Sequence, residues 1–99
     1  MNIKEEKNKK FIIIDFWAKW CTPCLYMKPI INKIKKKYKN KILIKKINIE
    51  EYKNKFLYKK YNIQSIPTLV FLKNNKEKYR YIGIISEYNL NKKCKKLIK

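Results

Sequence analysis

Apolar residues in this chain fall into short solid runs separated by stripes at helical spacing. Phe11–Trp17 ("FIIIDFW") is almost continuously apolar, the pattern of a strand covered on both faces in a parallel sheet. Cys21–Tyr38 reads as a helix, with Leu25, Ile30, Ile31, Ile34 and Tyr38 on one face and lysines on the other. Pro23 suits a helix's first turn; Pro29 lies inside and is expected to kink it by deleting a backbone bond. Lys41–Ile49 ("KILIKKINI") is strand-like and interrupted by Lys45–Lys46. Glu51–Tyr61 reads as a second helix with Phe56 and Leu57 inward. Thr68–Leu72 is a strand after an Ile66-Pro67 bend, Asn74-Asn75 a turn, and Lys78–Ile82 the strand that completes a hairpin. Ser86 can cap a last helix whose Leu90, Cys94, Leu97 and Ile98 share a face. The order β-α-β-α-β-β-α predicts an α/β fold, a mixed sheet with helices on both faces and right-handed crossovers in its first half.

Length then bounds the picture. Ninety-nine residues fit a single domain over 1–99, with residues 1–10 a short polar segment, either frayed or briefly helical. The longest aliphatic stretch, Phe11–Ile14, is far too short to span a membrane. Asp15 and Trp17 follow it where a secretory leader would carry small residues, so no leader is expected and the chain reads as soluble and complete, cytoplasmic or in an organelle of a host with an A+T-rich genome.

Charge changes the picture less than its size suggests. The formal net charge is +20, from 27 basic and 7 acidic residues. Such a surface can bind phosphate backbones by releasing counterions. Yet Ile, Asn and Tyr are in excess together with Lys, whereas Arg, Ala, Gly and Asp each occur once. Lys, Ile, Asn and Tyr share A+T-rich codons, so nucleotide bias accounts for all four, while nucleic-acid recognition would favour Arg for its planar fork. The lysines are also scattered, so no specific nucleic-acid partner is expected. Against this drift the informative residues are those that resist it: Asp15, Gly83, Pro23, Pro29, Pro67, Trp17 and Trp20.

The chemistry-bearing motif is Cys21-Thr22-Pro23-Cys24, where a strand hands over to a helix. At a helix start, unpaired N–H groups and the helix dipole favour the Cys21 thiolate, the nucleophile of disulfide exchange. Cys24, one turn in and expected to be less exposed, is placed to attack a mixed disulfide formed at Cys21. A zinc site from Cys21, Cys24 and Cys94 would lack a usual fourth ligand, since the chain has no histidine, and Cys94 lies on an apolar helix face. No metal and no cofactor are expected.

"FWAKWCTPC" resembles the active-site segment of the thioredoxin family, "IPT" at Ile66–Thr68 resembles its cis-proline loop, and "KNN…IG" its closing hairpin and glycine. The resemblance runs from about Phe11 to Lys99. It implies a thioredoxin-like fold and a thiol–disulfide oxidoreductase that reduces disulfide-containing proteins and is reset by a reductase or another dithiol donor, acting as a monomer. It places Asp15 on the family's buried carboxylate, a proton acceptor for Cys24 with a raised pKa; an N-cap or surface turn aspartate is the alternative, disfavoured by the apolar flank. It makes Pro67 cis beside the disulfide, leaving the Ile66 backbone free for an extended substrate; an ordinary trans proline is the alternative. Trp20 becomes the substrate rim, Trp17 packs beside the site, Gly83 permits close approach, and Lys46 matches a lysine near the carboxylate. Thr22 stands where the family has glycine, Ser65 and Asn75 also depart from its glycines, and the first strand and helix of the family lack room before Phe11. A four-stranded sheet is therefore expected. The competing reading is a basic nucleic-acid-binding or interaction module with a vestigial redox site.

Overall fold

The computed structural model describes residues 10–99. The expectations for residues 1–9 lie outside the described residues. Strand β1 (Phe11–Trp17) leads into helix α1 (Thr22–Lys37), then β2 (Ile42–Asn48). A 3-10 turn (Tyr52–Asn54) precedes helix α2 (Lys55–Lys60), followed by β3 (Thr68–Lys73), β4 (Lys76–Ile82) and α3 (Glu87–Leu97). The sheet order is β2-β1-β3-β4, with β1 and β2 parallel and β3 antiparallel to both β1 and β4. This is the mixed four-stranded sheet expected, and β1 at its centre is buried on both faces.

The pleat divides β1 between two cores. Ile13 joins Met27, Ile31, Ile34, Ile44, Leu69, Phe71, Leu90 and Leu97 beneath α1 and α3. Ile12, Ile14 and Phe16 join Ile47, Val70 and Leu72 on the opposite face, where Leu57, Tyr58 and Tyr61 of the α2 region pack. Asp15 has the parity of Ile13 and therefore points toward the α1 side. In register it faces Lys46 of β2 and Leu69 of β3.

Turns follow local chemistry. Asn74 and Asn75 both hold positive φ (52° and 65°) in a two-residue hairpin loop, a conformation asparagine tolerates. Helix α2 ends with Asn62 at φ 50° and the Ile63 N–H bonded to the Tyr58 carbonyl, a left-handed stop. Ser86 caps α3 through the Asn89 N–H. The single arginine, Arg80 on β4, binds Glu77 through two nitrogens and also donates to the Tyr61 carbonyl, tying the end of α2 to the sheet. At the sheet's outer strands, β2 carries Lys45 and Lys46, and β4 carries Lys76, Lys78 and Arg80.

Several details correct the sequence-based expectations. Glu51–Tyr61 is a 3-10 turn and a short helix rather than one helix, and Phe56 is not inward but 74% exposed, while Leu57 packs partly into the core. In α1 the buried arc is Cys24, Met27, Ile31 and Ile34, whereas Leu25 is 47% exposed. Ile31, Ile34 and Tyr38 are buried as expected, and only the first turns differ, with Cys24 and Met27 inward in place of Leu25. Strand β4 begins at Lys76, two residues before the predicted start, with an irregularity opposite Phe71/Leu72.

Candidate redox site

Strand β1 ends at Trp17, and the chain turns through Ala18 into the cap of α1, where the Cys21 N–H bonds the Ala18 carbonyl. Cys21 is the N-cap, with extended backbone, and its sulfur accepts the Cys24 N–H at 3.2 Å. Thr22 and Pro23 form the exposed first turn, where a proline loses nothing because its N–H would be unpaired. Cys21 and Cys24 are joined by a disulfide, their Cα atoms 5.2 Å apart. Both are buried, Cys21 at 4% and Cys24 at 6% exposure, which corrects the expectation that Cys24 is the less exposed. Position separates them instead. Cys21 sits on the helix-terminal amides, whereas Cys24 lines a cavity that opens onto Asp15.

That cavity, of about 210 Å³, is lined by Asp15, Trp17, Cys24, Leu25, Lys28 and Lys46. Asp15 is 6% exposed, and its carboxylate makes no hydrogen bond among the described residues. Burial pushes its pKa from the ordinary 3.8 up to about 6, with the Lys46 ammonium pulling the other way. The Lys46 ammonium itself is bonded to Asn32 Oδ1 at 2.9 Å rather than to the carboxylate. Burial holds it below the usual lysine value, Asp15 opposes this, and Lys28 and Lys35 add to it.

On the other side of the disulfide, the Ile66-Pro67 peptide is cis, and the Ile66 backbone makes no hydrogen bond among the described residues. The Gly83 N–H donates to the Pro67 carbonyl at 2.8 Å, which brings the end of β4 to the proline loop. Gly83 holds φ at 98°, and a Cβ there would meet nothing within 4 Å, so within this chain the position needs backbone freedom and leaves open surface beside the proline loop. Ile66 and Trp17 pack against the Ala18, Cys21 and Cys24 cluster. Trp20 is 65% exposed and borders a groove of about 340 Å³ with Ile49, Tyr58, Ile63, Ser65 and Ile66. The groove residues Ile49, Tyr58 and Ile63 escaped sequence reasoning; nothing in their spacing distinguishes them from core positions. The third cysteine, Cys94, is free and fully buried on α3, away from this cluster.

Among the described residues no group of three or more Cys, Asp or Glu could hold a metal, and no helix is long and apolar enough to cross a membrane. Comparison with known proteins gives a consistent result. A family model described as Thioredoxin matches residues 2–96. The chain is similar to the thioredoxin of Buchnera aphidicola subsp. Acyrthosiphon pisum, 39% identical over 91 residues that cover 90% of this chain and 82% of that protein. It is also similar to the chloroplastic M-type thioredoxin of Pisum sativum, 41% identical over 87 residues, 88% of this chain and 49% of that one. In structure it resembles Deadhead, a germline-specific thioredoxin protein of Drosophila melanogaster, with a TM-score of 0.83 at 32% identity, covering 95% of this chain and 87% of that chain. A mutant thioredoxin from Halobacterium salinarum NRC-1 shares the fold, with a TM-score of 0.86 at 22% identity, over 95% and 80% of the two chains.

Proposed function

The chain belongs to the thioredoxin family and is a thiol–disulfide oxidoreductase, and from that premise we propose how its residues divide the reaction. In the reduced protein the Cys21 thiolate, favoured by the amides of the α1 terminus, attacks one sulfur of a substrate disulfide. That S–S bond breaks, its other sulfur leaves as a thiolate, and a mixed disulfide forms at Cys21. The Cys24 thiol passes its proton to the Asp15 carboxylate and attacks the Cys21 sulfur. The substrate's second thiolate is released, and two electrons have moved from the cysteine pair to the substrate. Asp15 suits this task because a carboxyl with a pKa of about 6 is mostly ionised at neutral pH yet basic enough to take a proton.

Substrate recognition falls to the surface around the disulfide. Trp20 supplies an exposed aromatic rim, the unpaired Ile66 backbone and Pro67 receive an extended segment, and Gly83 offers bare backbone beside them. Thr22 and Pro23 shape the turn, and Lys46 sets the charge near Asp15. The family implies disulfide-containing protein substrates and a reductase or equivalent dithiol donor that resets the pair. The absence of histidine leaves no Cys–His-type activation and favours a reductant in a reducing compartment, the cytoplasm or an organelle.

The observation that carries this reading is that Cys24 and the buried Asp15 line one cavity behind the helix cap. Insulin reduction under dithiothreitol tests it. Cys21→Ser should lower the rate by about 10³-fold or more, and Cys24→Ser should accumulate a covalent mixed disulfide with substrate. Activity surviving Cys21→Ser would refute the assignment.

A further inference from the structure

Cys24, Lys28 and Asn32 recur every fourth residue of α1 and form one stripe over the cavity side of the helix. The first two line the cavity above Asp15, and the third holds Lys46 from β2. Lys46 is the direct register partner of Asp15, so its ammonium starts within reach of the one carboxylate there, yet the two form no ion pair. The Lys46 Nζ donates instead to Asn32 Oδ1, at 2.9 Å.

We propose that Asn32 is a positioning residue that holds the Lys46 ammonium off the Asp15 carboxylate. Asn32 is fit for this because its amide oxygen accepts a hydrogen bond without cancelling charge. The bond therefore engages the Lys46 ammonium at Asn32 without neutralising it. The groups around Asp15 are Cys24, Leu25 and Lys28 from α1, Trp17 from its own strand, Lys46 from β2 and apolar Leu69 from β3, so the charged ones are Lys28 and Lys46. Lys28 and Lys35 both disfavour the Lys46 charge, whereas Asp15 attracts it. Released from Asn32, the ammonium is drawn by the Asp15 carboxylate, against the repulsion of Lys28 on the same cavity. Close pairing would stabilise the ionised carboxylate and weaken it as a base for Cys24. The inference rests on the assignment of Asp15 as proton acceptor, and Asn32 acts on that proton only through Lys46.

Titrating the Asp15 carboxyl carbon by NMR in the oxidised protein tests the tether without any turnover. Asn32→Ala should lower the midpoint by about half a pH unit or more, as an opposite charge moves in. Asn32→Asp should raise it, because a carboxylate competes for Lys46 and adds its own negative charge. In a Lys46→Met background, Asn32→Ala should change nothing. An unchanged or raised midpoint in Asn32→Ala, or a shift that persists without Lys46, would overturn the proposal. Asn32 is exposed, and unchanged amide spectra away from the cavity would show that the fold is retained. Insulin reduction by Asp15→Asn separates the two claims: full activity there would remove the proton-acceptor assignment and leave the tether standing.

Discussion

The Cys24 backbone N–H donates to the Cys21 sulfur at 3.2 Å, so the first cysteine is the N-cap of the helix that begins with its own active-site turn. On reduction this amide, with others of the first turn, faces the sulfur that must carry negative charge. Limited treatment of the reduced protein with iodoacetamide at neutral pH should therefore modify Cys21 at least about tenfold faster than Cys24. Peptide mass spectrometry reads the ratio, and equal labelling would deny the cap its role.

Asp15 is held in place at a cost to stability. Its pKa of about 6, against 3.8 in the unfolded chain, means that the native state binds the extra proton between those values. Stability is then greatest below pH 3.8 as far as this group is concerned, falls as pH rises to about 6, and is fully reduced above that. The displacement corresponds to about 3 kcal/mol at pH 7. Asp15→Asn should raise stability by up to that amount in urea unfolding at pH 7, with the gain vanishing near pH 4. The same variant should slow insulin reduction by roughly ten- to a hundredfold.

Cys94 is the converse case, a thiol made inert by its surroundings. Burial on α3 pushes its pKa up to about 12, with Lys37 only partly offsetting this. The oxidised protein should show no thiol reactive toward Ellman's reagent when native and one per chain in denaturant. Cys94→Ser should cost about 1–2 kcal/mol by placing a hydroxyl in an apolar site, and leave disulfide reduction intact.

Gly83 makes a backbone prediction. A Cβ there has open space, so Gly83→Ala meets no clash, and its cost comes only from holding φ at 98°. Destabilisation of about 1 kcal/mol is expected in denaturant titration. A much larger loss would mean that the contact with Pro67 also depends on this conformation.

The architecture was legible where single residues dictate backbone form. Asn74-Asn75 announced the hairpin, Ser86 the last helix and Pro23 the first turn of α1, because each solves a local problem the chain cannot avoid. Asp15 stood out because ionising a carboxyl among isoleucines is costly anywhere. What stayed illegible depends on rotation and register. Leu25 and Met27 both suit an apolar stripe, and only the tertiary packing of α1 on the sheet decides that Met27 goes in and Leu25 lines the cavity, 47% exposed. Phe56 points outward because its helix is too short to impose a full stripe, and Leu57 already meets the core. The Asn32–Lys46 contact joins residues 14 apart on different elements, and with 26 lysines no spacing could single it out.

The lysines along β2 and β4 have a consequence for crowding. Should two molecules approach flank to flank, each would present a row of cations to the other before any main-chain zipping began. Repulsion of this kind weakens with ionic strength, so concentrated salt is the condition under which such self-association would first become possible.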